Sequence, residues 1–183
     1  MKILKRKKGQ GFTLIELLLV VGFIALASIG IYLIYHKVSQ GNQANTEARN
    51  LDTIRAGIKN LYGASSNFAT VTNTVVNNAH ITPDNMLTSG NIGAITNSFG
   101  GAVNITPTSL GAGTNNAFTI DYPNVPDAIC VKLVSTDGSN FDQVSINGTV
   151  VKAFGTNTLD PGTVAADCNA GNPNGEDIQF SSI

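Results

Sequence analysis

The residues whose types and spacing could do chemistry stand near the start of the chain: Gly11, Phe12 and Glu16. From Phe12 to Tyr35 there is no lysine, arginine, aspartate or proline, and Glu16 is the one charge. A carboxylate facing lipid costs about 2.5–3.5 kcal/mol on insertion scales, so an acid in such a run is expected to find a partner. A cut after Gly11 would create one. The freed amine of Phe12 would sit just over one helical turn before Glu16, and amine and carboxylate could pair.

Five cations, Lys2, Lys5, Arg6, Lys7 and Lys8, precede Gly9-Gln10-Gly11. They orient the following helix with its N-terminus in the cytoplasm and the bulk of the chain outside. A secretory signal peptide carries its small-residue cleavage site after the apolar region. Gly11 lies before it, so the apolar segment should be retained. An ordinary signal anchor would account for the basic flank and the apolar run, but not for Glu16.

The element that must position these residues is a helix from Phe12 to about Tyr62, whose surroundings change partway along. Its first part is apolar all round and long enough to cross a hydrocarbon core of about 30 Å. After His36-Lys37 it becomes amphipathic, with Leu51, Ile54, Ile58 and Leu61 on one stripe and Glu47, Arg49, Asp52, Arg55 and Lys59 elsewhere. Gly22, Gly30 and Gly41 interrupt it at about 1 kcal/mol each relative to alanine, and suit close helix packing in lipid.

Residues 63–98 are rich in Asn, Thr, Ser and Gly with no sustained period and read as a loop, with a short helical turn at Pro83 to Leu87. Short alternating segments follow. Ala102 to Thr106, Ala117 to Tyr122, Val144 to Ile146, Val150 to Ala153 and Ile178 to Ile183 read as strands, and Asn147-Gly148 is a strong hairpin signal. Two helical pieces are interleaved, Pro126 to Thr136 and one starting at Asp160-Pro161 and running to about Cys168. The expected class is α+β: a long N-terminal helix packed on an antiparallel sheet of four or more strands.

Charge and cysteines narrow the function. Of 11 lysines and arginines, the leader holds five, leaving six against 12 acids, so the side chains beyond Gly11 sum to −6. No basic stripe with interleaved aromatics survives there, which argues against a nucleic-acid surface. About 150 residues beyond the anchor suit one globular domain. Cys130 and Cys168 both fall outside the cytoplasm, where disulfides persist; two free core thiols are the alternative.

No nucleophile–base pair points to an enzyme: G-x-S-x-G is absent, His36 and His80 are isolated, and neither cysteine has a basic setting. Asp167, Asn169, Asn174, Glu176 and Asp177 offer oxygen atoms to calcium but lack EF-hand spacing, so a solvated loop is the stronger reading and no metal is assigned. Asn104-Ile105-Thr106 and Asn147-Gly148-Thr149 match glycosylation sequons, a weak pattern within strands and turns.

The basic leader, Gly11, Phe12, Glu16 as fifth residue after the cut and the run Leu17 to Tyr35 together resemble the type IV prepilin family. Gly22, Asn97-Ser98-Phe99-Gly100-Gly101, and the positions of Cys130 and Cys168 are similar to type IVb pilins of the bundle-forming and thin-pilus kind, whereas the short leader and Phe12 depart from that subclass. The resemblance implies a leader over residues 1–11 that is removed, a helix over 12–62, and a globular pilin head over 63–183. It implies a non-enzymatic subunit, without cofactor, that polymerises with itself into a surface filament serving functions such as cell adhesion. It also implies a prepilin peptidase that cuts between Gly11 and Phe12 and methylates the Phe12 amine, an inner-membrane platform, a cytoplasmic assembly ATPase, and a role for Glu16 in assembly. The protein would pass from the inner membrane to an extracellular pilus. A minor pilin, a type II secretion pseudopilin and an anchored extracellular binding module are the alternatives.

Overall fold

The computed structural model describes residues 12–63, 65, 67–88 and 93–183, without the side chains of Leu33 and His36. The leader residues Lys2, Lys5 to Lys8 and Gly11 lie outside the described residues. The chain divides into two compact units, Met1–Ser39 and Gln40–Ile183, and helix α1 (Leu14–Tyr62) contributes to both.

In the first unit, α1 is exposed along its length. It is long and apolar enough to cross a membrane, and none of its most apolar stretch is buried. Leu14, Ile15, Leu17, Leu18, Phe23 and Leu26 all face outward, an arrangement that water does not favour. A Cβ at Gly22 or Gly30 would meet nothing within 4 Å.

The second unit is built on a six-stranded antiparallel sheet. Its strands are β1 (Ile95–Thr96), β2 (Ala102–Thr108), β3 (Ala117–Val125), β4 (Gln143–Ile146), β5 (Thr149–Lys152) and β6 (Glu176–Ser182), in the spatial order β1-β2-β3-β6-β4-β5. The last strand in sequence thus lies between β3 and β4. Ile120 pairs with Phe180, and Phe180 with Val144, so alternate residues of three neighbouring strands form one apolar face. Phe118, Tyr122, Ile146 and Ile178 extend that face, and Ala44, Leu51, Ile54 and Ile58 of α1 join the same core. Each large aliphatic side chain so buried contributes about 1.5–3 kcal/mol.

The outer face carries Thr119, Asp121, Asp177, Gln179 and Ser181 at half-buried or exposed positions or on polar contacts, as one-sided burial requires. Asn147 and Gly148 turn the β4–β5 hairpin with φ of 51° and 84°, the left-handed pair of a type I′ turn. Helix α3 (Asp127–Asp137) adds Ile129, Cys130, Leu133 and Val134 to the core, and α4 (Pro161–Asp167) adds Val164. Asp160 caps α4 by accepting from the Gly162 amide at 3.0 Å.

The segment expected to be a loop is more ordered than its composition suggests. Helix α2 (Asn73–Asn78) is capped by Thr72, a 3-10 turn spans Asp84–Met86, and β1 closes the edge of the sheet. These pieces are too short to show a period. Asn73 also joins α2 to the sheet. Its side-chain amide donates to Val103 O at 2.8 Å and accepts from Ile105 N at 2.7 Å, occupying backbone groups at the edge of β2.

Two positions on α1 differ from the expected stripe. Leu61 is half exposed, and Glu47, expected among the polar positions, has no exposed surface. The stripe ends at Ile58 and begins earlier, at Ala44.

Candidate functional site

Three groups of residues bear on function, one on the first unit and two on the second. The first is the start of α1. Phe12 is 82% exposed, and Thr13 stands just before the helix as its N-cap. The Glu16 amide donates to the Thr13 carbonyl at 3.1 Å and lies 3.4 Å from the Thr13 hydroxyl. Thr13-Leu14-Ile15-Glu16 thus has the spacing of a capping box, with an acid in the turn where the helix dipole favours negative charge. Beside the partner amine and the role in assembly expected for Glu16, this local role is a further reason for an acid there. The side chain itself is exposed.

The second group surrounds the disulfide. Cys130 on α3 and Cys168 at the end of α4 are bonded, with Cα atoms 5.7 Å apart and both side chains fully buried. The bridge ties two short helices that would each be marginal alone. In the chain-entropy picture, closing a loop with a sequence separation of 38 stabilises the head by about 3 to 4 kcal/mol.

The third group is not apparent from the sequence pattern. Glu47 of α1 is fully buried and no cation touches its carboxylate among the described residues. One oxygen accepts from the Ser98 hydroxyl and from the Ser98 amide at 3.3 Å; the other accepts from the Tyr122 hydroxyl and from the Asn50 amide at 3.3 Å. Burial, with the Glu47 carboxylate beside it, pushes the Tyr122 hydroxyl well above its ordinary pKa, so Tyr122 remains a donor. The signal was present in the sequence, because Glu47 lies four residues before Leu51 and continues the spacing of the buried stripe.

The acidic C-terminal loop is less solvated than expected. Glu176 is fully buried, and one of its oxygens accepts from the side chains of Asn147 and Asn172, the latter at 3.0 Å. Asn147, itself exposed, also accepts from the Asp177 amide at 3.0 Å, so the amide of this sequon is engaged in hydrogen bonds on the surface. Asn104 is exposed on β2. Asn169 donates to Ala165 O at 2.6 Å. Among the described residues no group of three metal-ligating side chains converges. His80 lies in an exposed turn with φ of 54°.

Two further acids are perturbed. Asp177 is pushed up to about 6 by burial and by the neighbouring carboxyl of Asp121. Asp137 reaches about 6 through burial, partly opposed by its hydrogen bond from Asn140.

An exposed apolar helix that continues into the core of an antiparallel sheet is the architecture of type IV pilins. The family model described as PilS N terminal matches residues 41–182, and the chain belongs to that family, as a type IVb-like pilin. The major structural subunit of bundle-forming pilus from Escherichia coli O127:H6 (strain E2348/69 / EPEC) is 27% identical over 158 residues, which span 85% of this chain and 75% of that one. The toxin coregulated pilin of Vibrio cholerae is 27% identical over 150 residues, 77% of this chain and 64% of that one. Among solved structures, the type IV b pilin from Salmonella typhi superposes with a TM-score of 0.57 at 25% identity, covering 74% of this chain and 97% of that one. The crystal structure of the Vibrio cholerae El Tor type IV pilin TcpA, at 17% identity and a TM-score of 0.56, shares the fold; the match covers 78% of this chain and 99% of the solved chain.

Proposed function

We propose that the chain is a structural subunit of a type IV pilus, made as an inner-membrane prepilin and polymerised with copies of itself into an extracellular filament. The observation that carries this reading is the apolar run of α1, whose large side chains from Leu14 to Leu26 are exposed although the second unit has a well-packed core. Such a surface is stable in lipid or against other copies of the same helix. Residues 1–11 form the leader, 12–62 the helix and 63–183 the head. A prepilin peptidase cuts between Gly11 and Phe12 and methylates the new amine.

Lipid is about as apolar as a neighbouring helix, so moving α1 from membrane to filament yields little hydrophobic free energy. Work must come from outside, from an inner-membrane platform and a cytoplasmic ATPase. Once helices pack together, Glu16 of the arriving subunit faces the Phe12 amine of another, and two charges otherwise stranded in an apolar layer neutralise each other.

The N-terminal peptide of sheared surface filaments tests the processing step. Its mass should correspond to a chain beginning at Phe12 with one added methyl group. Filaments that retain Met1 to Gly11 would end this reading.

A further inference from the structure

Within the head, α1 is held in two different ways. Leu51, Ile54 and Ile58 are apolar and have no exposed surface. From Gly41 to Ala48 the buried residues are Ala44, Glu47 and Ala48, so two small methyl groups and one carboxylate make the attachment. A buried carboxylate without a counter-charge is costly to keep dry, and water can replace each of its donors when the contact opens. Separating Ile54 and Ile58 from the sheet exposes apolar surface with no such replacement.

The opposite side of the contact is preassembled. Asn97 donates to Pro123 O at 2.6 Å and accepts from the amides of Phe99 at 3.0 Å and Gly101 at 2.8 Å. A Cβ on Gly101 would run into the Pro123 carbonyl, which allows only glycine at this close approach. Residues 97–101 therefore form a strap fixed on β3 by its own hydrogen bonds, and Ser98 is the residue that hands it to Glu47.

We propose that Glu47 is a releasable clasp, at which the strap 97–101 and the first turns of α1 inside the head part by local opening while the contact at Leu51, Ile54 and Ile58 stays closed. The clasp lies just beyond the division between the two compact units at Ser39 and Gln40. It belongs to the single subunit and does not require the chain to form filaments.

The Ser98 amide reports the opening directly, because its acceptor is Glu47 Oε1. Hydrogen–deuterium exchange of the full chain in detergent micelles should show Ser98 exchanging at least about tenfold faster than the amides of Ile54 and Ile58. Glu47→Gln places donor hydrogens where the carboxylate accepted and should speed Ser98 exchange about tenfold, with Ile54, Ile58 and the β6 amides unchanged. Tyr122→Phe removes one donor without adding an unpaired one, and should produce a smaller acceleration at the same site. The proposal is overturned if Ser98 in the unaltered chain exchanges as slowly as Ile54 and Ile58. It is overturned equally if both variants accelerate Ser98, the α1 core and β6 by a common factor.

Discussion

Glu16 and Glu47 lie on one helix and carry the same side chain, yet the fold treats them in opposite ways. Glu47 is fully buried and receives hydrogen bonds from Ser98, Tyr122 and Asn50. Glu16 is exposed, and what the chain supplies near it is the Thr13 cap on its backbone amide. One acid is satisfied by the chain that carries it; among the described residues no hydrogen bond or ion pair reaches the carboxylate of the other. Residue type therefore says little about the role of a glutamate on α1. Its neighbours three and four positions away decide it: Ala44, Asn50 and Leu51 turn toward the head around Glu47, whereas Phe12, Leu19 and Val20 around Glu16 remain exposed.

The comparison breaks most sharply if the charge of Glu16 proves dispensable. Glu16→Gln keeps the length and hydrogen-bonding capacity of the side chain, preserves the Thr13 cap and removes the charge. We expect this variant to be exported, cleaved at Gly11 and folded, with the Cys130–Cys168 bond formed, and to give few or no filaments when it is the only pilin in the cell. Thermal unfolding of the variant in detergent should match that of the parent. Normal filament yield would leave the proposed charge neutralisation without its central residue.

Glu47 should respond in the opposite sense. Truncation to alanine leaves the buried Tyr122 hydroxyl and Asn50 amide without their acceptor, while the exposed Ser98 can turn to water, a loss of about 3 kcal/mol in head stability. Chemical denaturation of the full chain in detergent measures it. A loss below about 1 kcal/mol would mean that the donors find other partners, and that the contrast between the two glutamates lies in burial alone.

The first half of α1, the β4–β5 turn and the division into helix and sheet were legible because each rests on a local pattern. The apolar run from Leu17 to Tyr35 is uninterrupted, and Asn147-Gly148 favours one turn type. What escaped depends on pairing across the chain. Nothing local in Glu176 to Ser182 says that this strand lies between β3 and β4, and α2 has only six residues. Glu47 was hidden for a different reason: an acid at a stripe position looks like the stripe's edge until its donors are known, and they lie 51 and 75 residues away in Ser98 and Tyr122.

Asp177 falls between the two glutamates, being half-buried and in contact with another acid instead of a full set of donors. Asp121 pairs with Gln179 across the β3–β6 ladder, which puts Asp121 and Asp177 on the same face one step apart. Burial and the Asp121 carboxyl raise Asp177 from 3.8 to about 6, so between these values the folded chain holds a proton that the unfolded chain has released. Stability is therefore lost as pH rises through about 6, and acidification from pH 7 toward 5 should strengthen the head. Asp137, also raised to about 6, adds to the same trend, so the total slope does not identify either residue. Asp177→Asn isolates one contribution: it removes the repulsion at pH 7 and should raise stability there by about 1 kcal/mol, a value discounted for the partial exposure of the site. At pH 4.5 the Asp177 carboxyl of the folded parent is already protonated while the unfolded one is still mostly ionised, and the gain should shrink to about a third of its value at pH 7. Denaturation of the parent and Asp177→Asn chains in detergent at both pH values measures this difference. An equal gain at both would show that the asparagine acts through packing, and would leave Asp121 and Asp177 as two independent surface acids.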